Sequence, residues 1–229
     1  MIPPVLILHG ALGSASQLEP VRAAFENHGL SVHSLNLSGH GGAAFQPQFG
    51  IEQFAADVRQ WLDIKSIRMV NIFGYSMGGY VALWLARNNP ERVASIVTLG
   101  TKFDWSIESA TKEVRKLNPE KIMEKVPAFA RIMEKRHAPN DWKELIQKTS
   151  VMMTGLGEKP LLTPEILKSV NNPTWVCLGD QDDMADRHYS EEVASLLPNG
   201  KFLLLESTPH PIEKVSMEKL AGIATQAFR

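Results

Sequence analysis

The stretch Ile67–Arg87, IRMVNIFGYSMGGYVALWLAR, decides how this chain reads. Its first part, Ile67 to Phe73, is an apolar run rich in β-branched residues, of strand length and without a turn signal. The run breaks at Gly74-Tyr75-Ser76-Met77-Gly78 and resumes with Val81, Trp84 and Leu85 at helical spacing. A strand that becomes a helix within one residue forces that residue into a strained backbone. Glycines two before and two after it remove the Cβ atoms that would collide. The serine at the apex then projects its hydroxyl clear of both elements, above the N-terminus of the helix. Gly-x-Ser-x-Gly between a strand and a helix is the pattern of a nucleophile elbow. The pentapeptide alone is weak, since three fixed positions arise by chance in about one chain in ten of this length. Its setting, and two motifs further along, give it weight. The plainer reading of Ser76 is a turn serine that caps a helix.

Upstream, Val5-Leu6-Ile7-Leu8 is a continuous apolar strand running into the loop His9-Gly10-Ala11-Leu12-Gly13-Ser14. An amphipathic helix is expected over Leu18 to His28, stopped by Gly29. Leu30 to Leu37 reads as a second strand, closed by Ser38-Gly39-His40-Gly41-Gly42, and Ile51, Phe54, Ala55, Val58, Trp61 and Leu62 form one helical stripe. Downstream of the elbow, Val93 to Leu99 is a strand, and Thr174 to Leu178 is another, ending in Gly179-Asp180-Gln181-Asp182-Asp183. A helix over Tyr189 to Leu197, a strand over Lys201 to Leu205 and a closing helix over Ile212 to Phe228 complete the pattern, with Pro211 at the favoured first helical position.

Six mostly apolar strands separated by helices predict an α/β fold, a doubly wound and mostly parallel sheet covered on both faces. Ligands of such sheets bind beyond the carboxyl ends of the strands. Between Leu99 and Thr174 the rhythm changes to helix-like stretches rich in Lys, Glu, Met and Trp, broken at Pro119, Pro127, Pro139 and Pro160. The expected division is a core of residues 1–103 and 166–229 with a helical cap of residues 104–165 over the carboxyl edge.

At 229 residues, with 44% hydrophobic and 21% charged residues, the composition is that of a soluble globular protein. A net charge of -1 gives no reason to expect nucleic acid or an anionic membrane as partner. No apolar run approaches membrane-span length, and with Met1 leading straight into a strand no signal peptide is expected. The single Cys177 excludes an internal disulfide and reads as a small buried hydrophobe. The expected location is therefore cytoplasmic.

Serine is a poor nucleophile at neutral pH without a base in hydrogen-bond reach. On a sheet of this kind the acid and then the histidine follow the serine in the chain, each just after a strand. Asp180, Asp182 and Asp183 follow the strand ending at Leu178, and His210 follows the last strand in Ser207-Thr208-Pro209-His210-Pro211. Histidine suits the role because its ordinary pKa, about 6.5, lets it take and return a proton near neutrality.

These motifs together resemble the α/β-hydrolase superfamily, over nearly all of the chain outside the cap. His9-Gly10 matches the pair that family members carry after the strand preceding the elbow unit, and Gly39-His40-Gly41 matches their Gly-His-Gly. Asn36 stands where many members have Asp. The resemblance makes Val5–Leu8 the family's third strand, so the expected core lacks the first two. It implies Ser76 as nucleophile, His210 as base and Asp182 as the orienting acid, three residues after Gly179. Asp180 and Asp183 remain alternatives, and Asp104 an outsider taken from the preceding strand. The same resemblance implies an oxyanion hole made by the backbone N–H groups of Ala11 and Met77.

His9 and His40 read as loop-structuring residues, and His28, His33, His137 and His188 as surface or packing residues without metal-ligand spacing. Trp105, Met123, Phe129, Met133, Trp142, Met152 and Met153 are expected to pack the cap, some of them facing the serine in an apolar pocket. Lys and Arg of the cap, interleaved with Glu, read as solvated helix faces. The expected activity is that of a serine hydrolase cleaving a small to medium carboxylic ester through an acyl-enzyme on Ser76. It needs no cofactor and no metal, and its partner is a small-molecule acyl substrate. Thioester, lactone or C–C bond cleavage, lyase chemistry with the same triad, and a non-catalytic small-molecule-binding module are the alternatives.

Overall fold

A computed structural model describes residues 2–228. Its strands are β1 (Val5–Leu8), β2 (Val32–Leu35), β3 (Val70–Tyr75), β4 (Val93–Leu99), β5 (Thr174–Gln181) and β6 (Gly200–Pro209). Its helices are α1 (Glu19–Asn27), α2 (Ile51–Ile64), α3 (Met77–Asn88), α4 (Ile107–Val114), α5 (Pro119–Lys125), α6 (Pro127–His137), α7 (Trp142–Glu158), α8 (Pro164–Leu167), α9 (Arg187–Leu196) and α10 (Met217–Ala227).

The six strands form one sheet in the order β2-β1-β3-β4-β5-β6, every neighbouring pair parallel. Parallel neighbours need crossovers, and right-handed crossovers place helices on both faces. Alternate residues of β1 accordingly enter two different cores. Leu6 and Leu8 pack with Phe54, Val58 and Leu62 of α2 and with Tyr80 and Val81 of α3. Val5 and Ile7 pack with Val21 and Phe25 of α1 and with Leu220 and Ala224 of α10. Burial on both faces explains why β1 and β3 read as unbroken apolar runs rather than alternating ones.

Helices α4 to α8 lie between β4 and β5, with no strand among the described residues of that stretch. They build a small core of their own from Ile122, Ala130, Met133, Trp142, Leu145 and Ile146. Leu12, Phe45 and Phe49, from the loops after β1 and β2, pack against that core.

Several expected boundaries move: β2 and β3 are Val32–Leu35 and Val70–Tyr75 rather than 30–37 and 67–73, and three further shifts lie closer to the carboxyl edge. The closing helix does not begin at Pro211: Ile212–Lys214 is a separate 3₁₀ turn, and α10 starts at Met217. Ser216 caps the later start, its hydroxyl accepting from the Lys219 N–H at 3.3 Å. The last two strands also run further than their apolar cores, to Gln181 and to Pro209. Parallel pairing drives the extension: after a register shift, Gln181 lies opposite Pro209.

Candidate active site

Ser76 stands at the turn between β3 and α3 with φ 52° and ψ -117°, a conformation that costs a non-glycine residue free energy. Strand β4 holds it there. The Ser76 N–H donates to the Leu99 carbonyl at 2.8 Å, and the Thr101 hydroxyl donates to the Ser76 carbonyl at 2.9 Å. A Cβ on Gly74 would run into the backbone of Gly78 and Gly79, and one on Gly78 into the Leu8 carbonyl. Both glycines of the motif are thus required by close approach. Ser76 occupies the N-cap position of α3, yet its side chain makes no capping bond. The capping role does not account for the serine.

The register of β5 and β6 brings the other two groups together. Because Gln181 pairs with Pro209, the next residues, Asp182 and His210, leave the sheet side by side. His210 Nδ1 lies 2.8 Å from Asp182 Oδ2, with side-chain exposures of 7% and 2%. The other carboxylate oxygen accepts from the Met184 and Ala185 N–H groups at 2.8 and 2.9 Å. These bonds fix the carboxylate in place. Tyr75 closes the far side, its hydroxyl donating to the His210 carbonyl at 3.0 Å.

Gly100, at φ 60°, lies beneath the pair: a Cβ there would stand 2.8 Å from Asp182 Oδ2 and 3.1 Å from His210 Nδ1. The other aspartates point elsewhere. Asp180 accepts from the Thr208 N–H at 3.0 Å, and backbone bonds from Thr208 and Ser207 hold its carboxyl below the usual range. Asp183 is exposed, and Asp104 pairs with Lys102 at 2.7 Å.

Ser76 and His210 line one cavity of about 490 Å³ together with Ala11 and Met77. Among the described residues, neither the Ala11 N–H nor the Met77 N–H has an acceptor. The opposite wall belongs to the insertion, through Trp105 ahead of α4 and Phe129, Ile132, Met152, Met153 and Leu156 of α6 and α7. Of the expected apolar residues, Met133 and Trp142 instead fill the insertion's own core, and Met123 is 39% exposed. Arg136, expected on a solvated helix face, is half-buried and lines the cavity. Among the described residues no cluster of His, Cys, Asp and Glu is arranged to hold a metal ion. No described helix is long and apolar enough to cross a membrane.

Residues 3–133, more than half of the chain, match the sequence pattern described as the alpha/beta hydrolase fold. The chain belongs to the alpha/beta hydrolase fold family. Among relatives, a triacylglycerol lipase of Pseudarthrobacter phenanthrenivorans is 33% identical over 108 residues, which are 43% of this chain and 32% of the lipase. A 2-succinyl-6-hydroxy-2,4-cyclohexadiene-1-carboxylate synthase of Salmonella newport is 32% identical over 113 residues, 49% of this chain and 44% of the synthase. The chain thus matches less than half the length of these curated relatives. Among solved structures, NosK of Streptomyces actuosus superposes with a TM-score of 0.80 at 18% identity, over 99% of this chain and 97% of that one. The enol-lactonase of Burkholderia xenovorans gives 0.74 at 20% identity, over 99% and 91%. Likeness at such identity shows a shared fold.

In this member of the alpha/beta hydrolase fold family the loops after β1 and β2 are joined by histidines. His9 donates from Nδ1 to the Gly10 carbonyl at 2.8 Å and accepts from the Leu37 N–H at Nε2, so it is neutral and fixed in one tautomer. Burial pushes its pKa down to about 4. His40 packs on it at 4.8 Å between ring centres, and burial holds this ring well below the ordinary value too.

His137, read from sequence as a surface or packing residue, is fully buried and bonded at both ring nitrogens. Its partners lie 96 and 125 residues away in the chain, so no local pattern announces it. Asn36 bridges the same loops, accepting from the Ala15 N–H at 2.7 Å and donating to the Gly41 carbonyl at 3.0 Å. An aspartate could not make the second bond when ionised. Cys177 is buried, and its thiol is pushed up to about 12, which removes it as a nucleophile near neutrality.

Proposed function

We propose that this protein is a serine hydrolase that cleaves a small to medium carboxylic ester. The observation that carries the reading is the buried Asp182–His210 hydrogen bond, made at the wall of the cavity that the Ser76 turn also lines. With Nδ1 bonded to Asp182, His210 has Nε2 available as the base. Nε2 takes the Ser76 proton as Oγ attacks the ester carbonyl carbon. The carbonyl π electrons move to oxygen, where the Ala11 and Met77 N–H groups receive the charge. The tetrahedral intermediate collapses, and the alcohol leaves with the proton from His210. Water, deprotonated by the same imidazole, then attacks the acyl-enzyme and releases the acid. Asp182 stays ionised throughout, orienting the ring and compensating its positive charge.

Two preformed donors, one at a helix N-terminus, favour the oxyanion, and removing one such donor typically costs roughly 3 kcal/mol of transition-state stabilisation. The apolar wall from the insertion suits an apolar acyl or alcohol group. We assign residues 104–165 as the cap over a core of 1–103 and 166–229. Lipase, lactonase and synthase are the named activities of the relatives and neighbours above, and esters are the substrate class between the first two. The mechanism needs neither metal nor cofactor.

A fluorophosphonate should label Ser76 in the folded protein, and p-nitrophenyl butyrate should be turned over. Ser76→Ala should lose the label and all but about 10⁻⁴ of the turnover or less. Absence of labelling in the folded protein would overturn the reading in favour of a small-molecule binder. Labelling with no ester turnover would move the substrate to a thioester, lactone or C–C bond.

A further inference from the structure

Leu12, one residue after the Ala11 N–H, has φ 58°. A left-handed conformation is unfavourable for a leucine, so the backbone relaxes unless something outside it holds the turn. Within the loop there is one closing bond, from the Gly13 N–H to the Gly10 carbonyl at 3.0 Å. His9 Nδ1–H also donates to the Gly10 carbonyl at 2.8 Å, and the hydrogen bonds to Leu12 itself come from the inserted helices. The Leu12 carbonyl accepts from His137 Nε2–H at 3.0 Å and from Arg136 Nη1–H at 3.1 Å, both at the C-terminal end of α6. The Leu12 side chain packs against the core of the insertion. The His137 ring is itself pinned, its Nδ1 accepting from the Gly41 N–H at 3.0 Å. Just beyond, the Asn140 amide donates to the Ala43 carbonyl at 2.6 Å.

We propose that His137 is a positioning residue: through the Leu12 carbonyl it holds the Ala11 N–H where the oxyanion develops, so that the insertion completes the catalytic apparatus as well as walling the cavity. The proposal rests on the serine hydrolase reading and adds to it a dependence of the chemical step on α6. His137 touches no reacting atom and acts only through the loop. A donor displaced by a fraction of an ångström loses most where charge appears, which is the transition state, so the effect falls on kcat and leaves KM nearly alone.

The two ring nitrogens allow a test that separates positioning from folding. In His137→Gln the amide nitrogen replaces Nε2 and keeps the bond to Leu12. In His137→Asn the amide oxygen replaces Nδ1 and keeps the bond from Gly41 while abandoning Leu12. With p-nitrophenyl butyrate, His137→Asn and His137→Leu should lose about tenfold or more in kcat at a KM within about threefold of the starting protein. His137→Gln should recover kcat to within about threefold. The rate of Ser76 labelling by a fluorophosphonate should follow kcat.

The proposal is overturned by folded Asn and Leu variants with unchanged kcat, or by three variants lowered alike. If those two variants do not fold, Arg136→Met removes the second donor to the same carbonyl from a half-exposed site. A fall of about threefold in its kcat at constant KM then supports the proposal, and an unchanged kcat overturns it. Failure of the underlying reading looks different, since the unaltered protein would then neither be labelled nor turn over ester.

Discussion

The two sides of the Ser76 turn are held by different means. On the β5–β6 side, Asp182 and His210 are fixed by strand pairing, by backbone N–H groups at the strand end and by the Tyr75 hydroxyl of β3. On the β1 side, the Gly10–Gly13 loop is held by side chains, His9 next to it and Arg136 and His137 from the insertion, with Asn36 bonding the Ala15 N–H just beyond. The first arrangement inherits the stability of the core. The second depends on neutral imidazoles and on the docking of the insertion, both of which conditions can change without unfolding the sheet. The contrast implies that the two sides fail separately, one by substitution at a few atoms and the other by acid.

The largest separation should come from the aspartates. Asp182→Asn should lower kcat by about 10⁴, because an amide leaves the imidazole with the wrong tautomer and no charge compensation. Asp180→Asn should cost less than tenfold, since its carboxylate only organises the Thr208 backbone. Equal losses in the two variants would mean that the acid has been misassigned. Next, Gly100→Ala places a methyl group 2.8 Å from Asp182 Oδ2 in a left-handed backbone. It should lower kcat by about a hundredfold and destabilise the fold by about 2 kcal/mol, measured by denaturant unfolding. Wild-type kinetics in that variant would show that the pair tolerates displacement and that the strand side is less rigid than its bonds suggest.

The smallest effect sharpens the other side. His9 and His137, both held neutral down to a pKa of about 4 by burial, take up protons in the unfolded chain at about 6.5. Between these values the unfolded state binds more protons than the folded one, so stability is present above pH 6.5 and is lost as pH falls towards 4. For the fully buried His9 the loss amounts to roughly 3 kcal/mol. His40 shares the environment, and Arg136 adds its positive charge next to His9 and His137, so each protonation opposes the next. Urea midpoints at pH 7 and pH 4.5 should differ by less in His137→Gln than in the starting protein. An equal difference would remove His137 from the acid response.

What the sequence revealed follows the same divide. The elbow, the apolar middles of the strands and the order of polar turns after them were legible because each requirement is local: glycines beside Ser76, an apolar run before it, a polar turn after each strand. Asp182 was singled out from its neighbours only through the spacing from Gly179 that the family resemblance supplied, since three aspartates within four positions are locally alike. The structure separates them through the Gln181–Pro209 pairing, which extends beyond the apolar part of either strand. The start of the closing helix was misplaced because Pro211 is a fair first residue on local grounds, whereas the Ser216 cap and the 3₁₀ turn form against tertiary neighbours. His137 was invisible for the reason that makes it informative: its hydrogen bonds reach across nearly the whole first half of the chain.

The pairing of Gln181 with Pro209 has a consequence for anyone altering this protein. Side chains in a strand alternate between faces, so deleting or adding a single residue within 175–181 would turn the carboxylate away from the imidazole while leaving both in the chain. Lengthening the turns that follow, or exchanging α9 for another helix, does not disturb that parity. The two strand tails therefore behave as a matched ruler, and grafts into this scaffold must conserve their odd-or-even count before any choice of residue matters.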